Sequence, residues 1–143
     1  MSDVLSPEQR HRNMSRIRGR DTGPERTVRS LLHRMGYRFR LHRRDLPGRP
    51  DIVLPRLRSV IFVHGCFWHR HKGCRYATTP KTRAIFWQKK FKENVERDWR
   101  NVTALYKDGW RVLCVWECET RDLKGLEQQL SSFLEYAEND GIK

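Results

Sequence analysis

Two short apolar runs, "DIVLP" at 51–55 and "RSVIFVH" at 58–64, do most to restrict the fold. Each is rich in Val and Ile and bounded by turn-forming or charged residues, which is the pattern of a β-strand. They are joined tightly around Arg56 and Leu57. Paired antiparallel, they place Asp51 opposite residues 62–64, so that Asp51 and His64 become neighbours at one end of the hairpin. An Asp there can simply cap a turn. A carboxylate at a strand end beside a histidine is also a platform for Mg²⁺, which takes one or two carboxylates together with waters and substrate phosphates. A metal-assisted phosphodiester cut further needs a base near neutral pH, and histidine supplies one.

The rest of the chain reads as alternating helix and strand. Thr22 and Glu25 match a capping box for a helix over about 23–35, with Gly36 as its stop and Val28, Leu31, Leu32 and Met35 as its apolar stripe. "YRFRL" (37–41) alternates like a strand, and "LPGRP" (46–50) is a turn. A long helix follows over about 82–107, ended by Gly109. "WRVLCVWE" (110–117) is a buried strand, and a last helix spans about 120–137. The expectation is one α/β domain over 1–143, a mixed β-sheet flanked by helices. Residues 1–20 form a basic N-terminal segment, weakly helical from Ser6 and Pro7.

Charge says what such a domain meets. Lys and Arg number 30 against 17 Asp and Glu, a net of +13 on 143 residues. A bias of this size in a short chain points to a polyanion, most often nucleic acid. It is concentrated at the front: residues 1–50 carry 13 basic and 5 acidic residues, whereas residues 118–143 carry 3 and 6. No apolar run approaches the roughly 18 residues of a membrane helix, and "MSDVLSPEQR" lacks the apolar core of a signal peptide. A cytosolic protein is expected, in which four cysteines suggest a metal before disulfides.

Residues 64–74, "HGCFWHRHKGC", supply most of that metal chemistry. Cys66, His71 and Cys74 have the C-x4-H-x2-C spacing of a short loop that can wrap around zinc. A fourth ligand must come from Cys114 or Cys118. Within one strand those two would lie about 13 Å apart, too far for both to serve one ion. Cys114 has core neighbours; Cys118 lies at the strand end, where a loop can swing in, and is the expected ligand. His64 and His69 remain free for acid–base work.

Two further carboxylates stand out. The stripe of the long helix runs 91, 95, 98, 102, 105, and its middle position is Asp98 rather than an apolar residue. Either Asp98 points inward, where it must be paired or near a metal, or the helix rotates to bury Trp99 instead. Glu25 shares a face with Val28 and Leu32, but the capping box alone is a sufficient reason for it.

Taken together, "NMSRIRGRDTGPE", "LPGRPDIVL", "VIFVHGCFWHRHKGC", "FWQKKFKENVERD" and "GWRVLCVWEC" closely resemble the very short patch repair (Vsr) DNA mismatch endonucleases. The resemblance spans about residues 11–120. It implies a restriction-endonuclease-like fold of the PD-(D/E)xK type with a structural zinc site. It also implies a bacterial, Mg²⁺-dependent enzyme that nicks one strand beside a T:G mismatch left by 5-methylcytosine deamination. By the same resemblance, Asp51 and the main-chain carbonyl of Val63 ligate Mg²⁺. His69 is the general base, with His64 and Asp98 supporting the scissile phosphate and its hydrated metals, and Glu25 matches an acid near the active site on the N-terminal side. Cys66, His71, Cys74 and Cys118 bind Zn²⁺. Phe67, Trp68 and Trp87 wedge into the duplex, and Arg16, Arg18, Arg20 and Asn94 contact DNA. A monomer acting on double-stranded DNA is implied, in the cytoplasm at the nucleoid, with contacts to mismatch-repair proteins. Without the resemblance, core packing is the competing reading of Phe67 and Trp68. Val63 stands where the family pattern carries Thr; a main-chain ligand does not depend on that side chain. The zinc loop is one residue longer than the pattern, a length that Gly73 can absorb.

Two other classes compete: a restriction-type enzyme that cuts both strands of intact duplex, and a zinc-containing DNA-binding module without catalysis. Asp51, His64, His69 and Asp98 argue against the last, since binding alone has no need of them.

Overall fold

A computed structural model describes residues 22–139. The basic segment 1–20, with Arg16, Arg18 and Arg20, lies outside the described residues. Four strands form one sheet in the order β1 (Arg40–Leu41), β2 (Ile52–Leu54), β3 (Ser59–His64), β4 (Arg111–Trp116). The first two pairings are antiparallel and β3–β4 is parallel. Helices α1 (Gly23–Arg34), α2 (Ala84–Lys107) and α3 (Leu123–Asn139) complete the fold.

Side chains alternate across the sheet and divide the core in two. Ile52, Leu54, Ile61 and Val115 face α1 and α3, where Val28, Leu31, Leu32, Leu126, Leu130 and Leu134 pack against them. Val53, Val60 and Phe62 face the other way, onto Leu105 of α2 and Trp110. Each fully buried Leu, Ile or Val is worth about 1.5–3 kcal/mol. That is how a sheet whose edge strand β1 has only two residues stays ordered.

The β2–β3 connection is a single 3₁₀ turn over Pro55–Leu57 that ends on Arg58 at φ 48°. Arg58 compensates for its left-handed backbone with three contacts. Its guanidinium donates to the Asp108 carbonyl at 2.7 Å and lies 4.4 Å from the Trp110 ring, and its carbonyl accepts from the Arg111 amide at 2.7 Å. The hairpin turn is thereby fastened to the start of β4.

Element boundaries differ from the sequence reading where caps decide them. The strand expected over 37–41 keeps only two paired residues. The last helix begins at Leu123 rather than 120, because the Asp122 carboxylate accepts from the Gly125 amide at 3.1 Å and residues 117–121 form a 3₁₀ turn. The stripe of α2 is also rotated. Phe91, Asn94 and Leu105 are buried, whereas Val95 and Trp99 are 36% and 70% exposed. Val95 is therefore not part of the inward face, and Trp99 does not replace Asp98 there.

Candidate active site

Antiparallel pairing sets Ile52 opposite Ile61, which brings Asp51 to the end of β3. The Val63 amide donates to Asp51 Oδ2 at 2.7 Å. The Val63 side chain packs into the α1–α3 core, so position 63 offers the site only its backbone. Asp51 and His64 line one cleft of about 920 Å³ together with His42, Arg49, His69 and Asp98. They are not each other's nearest partners. Asp51 groups with Glu25 and His42, and His64 groups with His69 and Asp98.

In the first group, Glu25 is only 2% exposed. The Thr22 hydroxyl caps α1 by accepting from the Glu25 amide, as the sequence suggests. The buried Glu25 carboxylate lies behind the cleft wall, 3.0 Å from Arg29 Nη2 and 3.5 Å from Nε2 of His42, which lines the cleft. Glu25 is thus both at the cap and against the cleft residues His42 and Asp51. Burial, with Glu25 alongside, pushes Asp51 up to about 7, against the opposing pull of the Val63 amide and Arg29.

In the second group, His69 Nδ1 lies 2.6 Å from Asp98 Oδ2. A carboxylate accepts there, so Nδ1 carries the proton and the neutral ring keeps its lone pair on Nε2. The His64 and His69 rings stack at 3.9 Å, 6° from parallel. Burial, with His69 adding to it, pushes His64 down to about 4, so it is neutral at physiological pH. The inward carboxylate on α2 is Asp98.

Beside these lies a compact set of thiols. Cys66, His71, Cys74 and Cys118 offer ligand atoms that all fall within 4.8 Å of one another. His71 Nδ1 is 3.6 Å from Cys66 Sγ and 3.4 Å from Cys118 Sγ, and its ring stacks on Trp116 at 4.2 Å. Cys114 is not in the set; it lies in mid-β4 against the Val53–Phe62 core. Burial pushes Cys66 up to about 12 and Cys114 up to about 11.

Between thiols and cleft sits an aromatic group. Phe67 meets Trp68 and Trp87 edge-on at 5.1 and 5.8 Å and rests on Phe91 at 5.2 Å. Phe67, Trp68 and Trp87 are half-buried, and Phe91 lies beneath them. Asn94 is buried too, and its amide donates to the Trp68 carbonyl at 3.2 Å while its oxygen accepts from Arg97.

Sequence reading missed three residues here. Arg70, at φ 54°, donates to the carbonyls of Thr78 and Ala77 at 2.9 and 3.1 Å and lies 4.0 Å from the Phe91 ring. Nothing in its sequence context marks it, because most of its hydrogen bonds go to main-chain carbonyls. Arg29 and His42 were also missed. The i, i+4 spacing of Arg29 from Glu25 was a usable signal.

A four-stranded sheet between helices, with carboxylates and imidazoles gathered at one end of β2 and β3, defines a nuclease of the restriction-endonuclease-like fold. The same fold occurs in the catalytic domain of the homing endonuclease I-Bth0305I, at TM-score 0.59 and 23% identity over 82% of this chain and 98% of that one. Residues 2–75 match the family model described as DNA mismatch endonuclease Vsr. The chain is 55% identical to the type II nicking enzyme V.XorIIP of Xanthomonas oryzae, over 94% of this chain and 98% of that protein. It is 46% identical to the DNA mismatch endonuclease Vsr of Escherichia coli, over 90% and 82%. The chain belongs to the Vsr family of DNA mismatch endonucleases, and is a hydrolase that nicks DNA. Among the described residues no helix is long and apolar enough to cross a membrane.

Proposed function

We propose that this endonuclease nicks one strand of double-stranded DNA beside a T:G mismatch, with Mg²⁺ at Asp51 and a structural Zn²⁺ in the thiol set. The carrying observation is that the His69–Asp98 pair, joined at 2.6 Å, opens onto the same cleft as Asp51. His69 Nε2 takes the proton of the attacking water, and Asp98 holds the tautomer that leaves Nε2 able to do so. Asp51 and the Val63 carbonyl would hold Mg²⁺, which when bound would supply Lewis-acid stabilisation of charge on the scissile phosphate. His64, neutral and stacked on His69, fixes the ring of the base. Glu25 adds negative charge on the far side of Asp51.

Three thiols and an imidazole suit Zn²⁺. Donors arranged tetrahedrally at ordinary zinc bond lengths stand about 3.5–3.8 Å apart, and two of the sulfur–nitrogen separations here are 3.4 and 3.6 Å. So pinned, the loop presents Phe67 and Trp68 with Trp87 to the duplex. Unstacking a base step costs a few kcal/mol, and less at a mismatch, which supports mismatch selectivity. Arg16, Arg18 and Arg20 add phosphate contacts, and Asn94 acts on DNA through the Trp68 carbonyl it holds. We place the enzyme in the bacterial cytoplasm at the nucleoid. It works as a monomeric single domain over 1–143, with mismatch-repair proteins as further partners.

The test is cleavage of labelled duplexes that differ by one T:G, T:A or C:G pair, with Mg²⁺ and with chelator. A Mg²⁺-dependent nick in the T strand of the T:G duplex alone is expected. Cutting of both strands of matched DNA would overturn the proposal.

A further inference from the structure

Among the described residues, Arg49, Arg58, Arg70 and Arg83 have left-handed backbones, at φ 48°, 48°, 54° and 53°. An L side chain adopts that conformation only against strain, and strain of this kind gathers where a side chain must be aimed. Three of these arginines spend their side chains inside the protein. Arg58 and Arg70 donate to main-chain carbonyls, and Arg83 lies 4.5 Å from the Phe86 ring. Arg49 differs. Its guanidinium has no hydrogen bond, ion pair or ring contact among the described residues. It is exposed on the cleft that holds Asp51, His64, His69 and Asp98. Arg44 lines the same cleft, exposed and equally uncommitted. Its neighbour Arg43 is bound to Asp45, and Arg97, the third arginine of the cleft, donates to Asn94.

The loop carrying both free cations is held in place. Leu46 to Arg49 form a turn, closed by the Arg49 amide donating to the Leu46 carbonyl at 3.1 Å. Pro47 and then Gly48 at φ 75° are the residues a type II turn requires. The turn rests on α2, since a Cβ on Gly48 would stand 3.0 Å from Asn101 Cβ. Along α2, Trp87 of the aromatic group, Asp98 with its bond to His69, and Asn101 under the turn follow one another. At the rise of an α-helix, Trp87 lies roughly 16 Å to one side of Asp98 and Asn101 roughly 5 Å to the other. Successive phosphates of one strand advance about 3.4 Å along a duplex. The turn is thus offset from the base by about one nucleotide, away from the aromatic residues.

We propose that Arg44 and Arg49 form a clamp for the phosphate next to the scissile one, on the side remote from the aromatic wedge. The proposal rests on the reading of this cleft as the place where the strand is cut. A guanidinium holds phosphate oxygens in pairs, so two of them fix direction as well as charge. They also offset the repulsion that Asp51 and Asp98 exert on an incoming backbone.

Methylphosphonate scanning tests the clamp. T:G duplexes carrying one neutral methylphosphonate, placed in turn at each phosphate on either side of the nick, are cut under single-turnover conditions. In wild type, the phosphate next to the nick and away from the wedge should be sensitive, slowing cleavage roughly ten- to hundredfold. Arg44→Ala/Arg49→Ala should cut the unmodified duplex slowly and be indifferent to that methylphosphonate. Its binding in chelator should lose about 1 from the salt slope, the value for one phosphate. Arg49→Gly takes the left-handed backbone without strain, so it should melt no earlier than wild type and still nick more slowly. Equal sensitivity of wild type and the double variant at every position overturns the clamp, as does wild-type nicking by Arg49→Gly. Asp51→Asn keeps the two ideas apart: full nicking there would overturn the reading of the cleft itself.

Discussion

His69 and Asp98 are joined through Nδ1 and Oδ2 at 2.6 Å, although they are 29 positions apart and lie on a loop and a helix. The bond leaves one ring nitrogen able to accept a proton. His69→Ala should slow nicking roughly 10²- to 10⁴-fold, the usual contribution of a positioned base. Asp98→Asn should leave the base present but free to adopt the wrong tautomer, and should lower the rate with little change in KM. Single-turnover cleavage of a T:G duplex measures both. A rate in His69→Ala within a few-fold of wild type would exclude His69 as the base.

Asp51 makes the metal-free fold pH-sensitive. Its folded pKa of about 7 lies above the ordinary 3.8. The protonated form therefore stabilises the fold fully below about pH 4, and that contribution is lost as pH climbs through about 7. Asp51→Asn keeps an oxygen for the Val63 amide and removes the charge. Without Mg²⁺ it should raise stability at pH 8 by on the order of 1–3 kcal/mol, with no gain at pH 4. Melting temperatures at the two pH values check this; equal shifts at both would refute it.

Thiols as buried as Cys66 do not ionise alone, since that one is pushed up to about 12. Bound Zn²⁺ would displace those protons, so metal content and stability should fall together. Cys118→Ser should lose most of its zinc and melt earlier, whereas Cys114→Ser should keep its zinc. Elemental analysis beside thermal unfolding decides it. Full zinc in Cys118→Ser would sink the ligand assignment.

Arg70 fixes the loop through the Thr78 and Ala77 carbonyls and the Phe91 ring. A lysine cannot span those partners, because it lacks the planar fork. Arg70→Lys should therefore destabilise the fold nearly as much as Arg70→Ala, by about 2 kcal/mol. Both should lower preference for T:G over T:A duplex, because Phe67 and Trp68 lose their support. Rescue by Lys would mean that charge alone matters there.

How legible was all this in the sequence? The hairpin at 51–64 was, because two Val- and Ile-rich runs joined by a tight turn leave few alternatives. So was the grouping of Cys118 rather than Cys114 with the other thiols, which followed from strand length. Asn94 and Val95 exchanged roles because helical spacing fixes a stripe only to within one residue, and the choice was made by a main-chain carbonyl, that of Trp68. The partition of the cleft into a Glu25–His42–Asp51 group and a His64–His69–Asp98 group was not legible. It depends on how α1 and α2 dock on opposite faces of the sheet. Arg70 was invisible for a simpler reason: most of its hydrogen bonds go to backbone, which has no sequence signature.

The parallel pairing of β3 with β4 has a consequence for how the protein is made. His64 sits beside Trp116, the last residue of β4, and Cys118 follows two positions on. A nascent chain that has emerged only as far as α2 already carries Asp51, His64, His69 and Asp98. It has neither the strand that braces His64 nor Cys118, the third thiol of the set beside the loop holding His69. The cleft is completed late in synthesis, and a prematurely terminated product ending before β4 should be inert toward the chromosome.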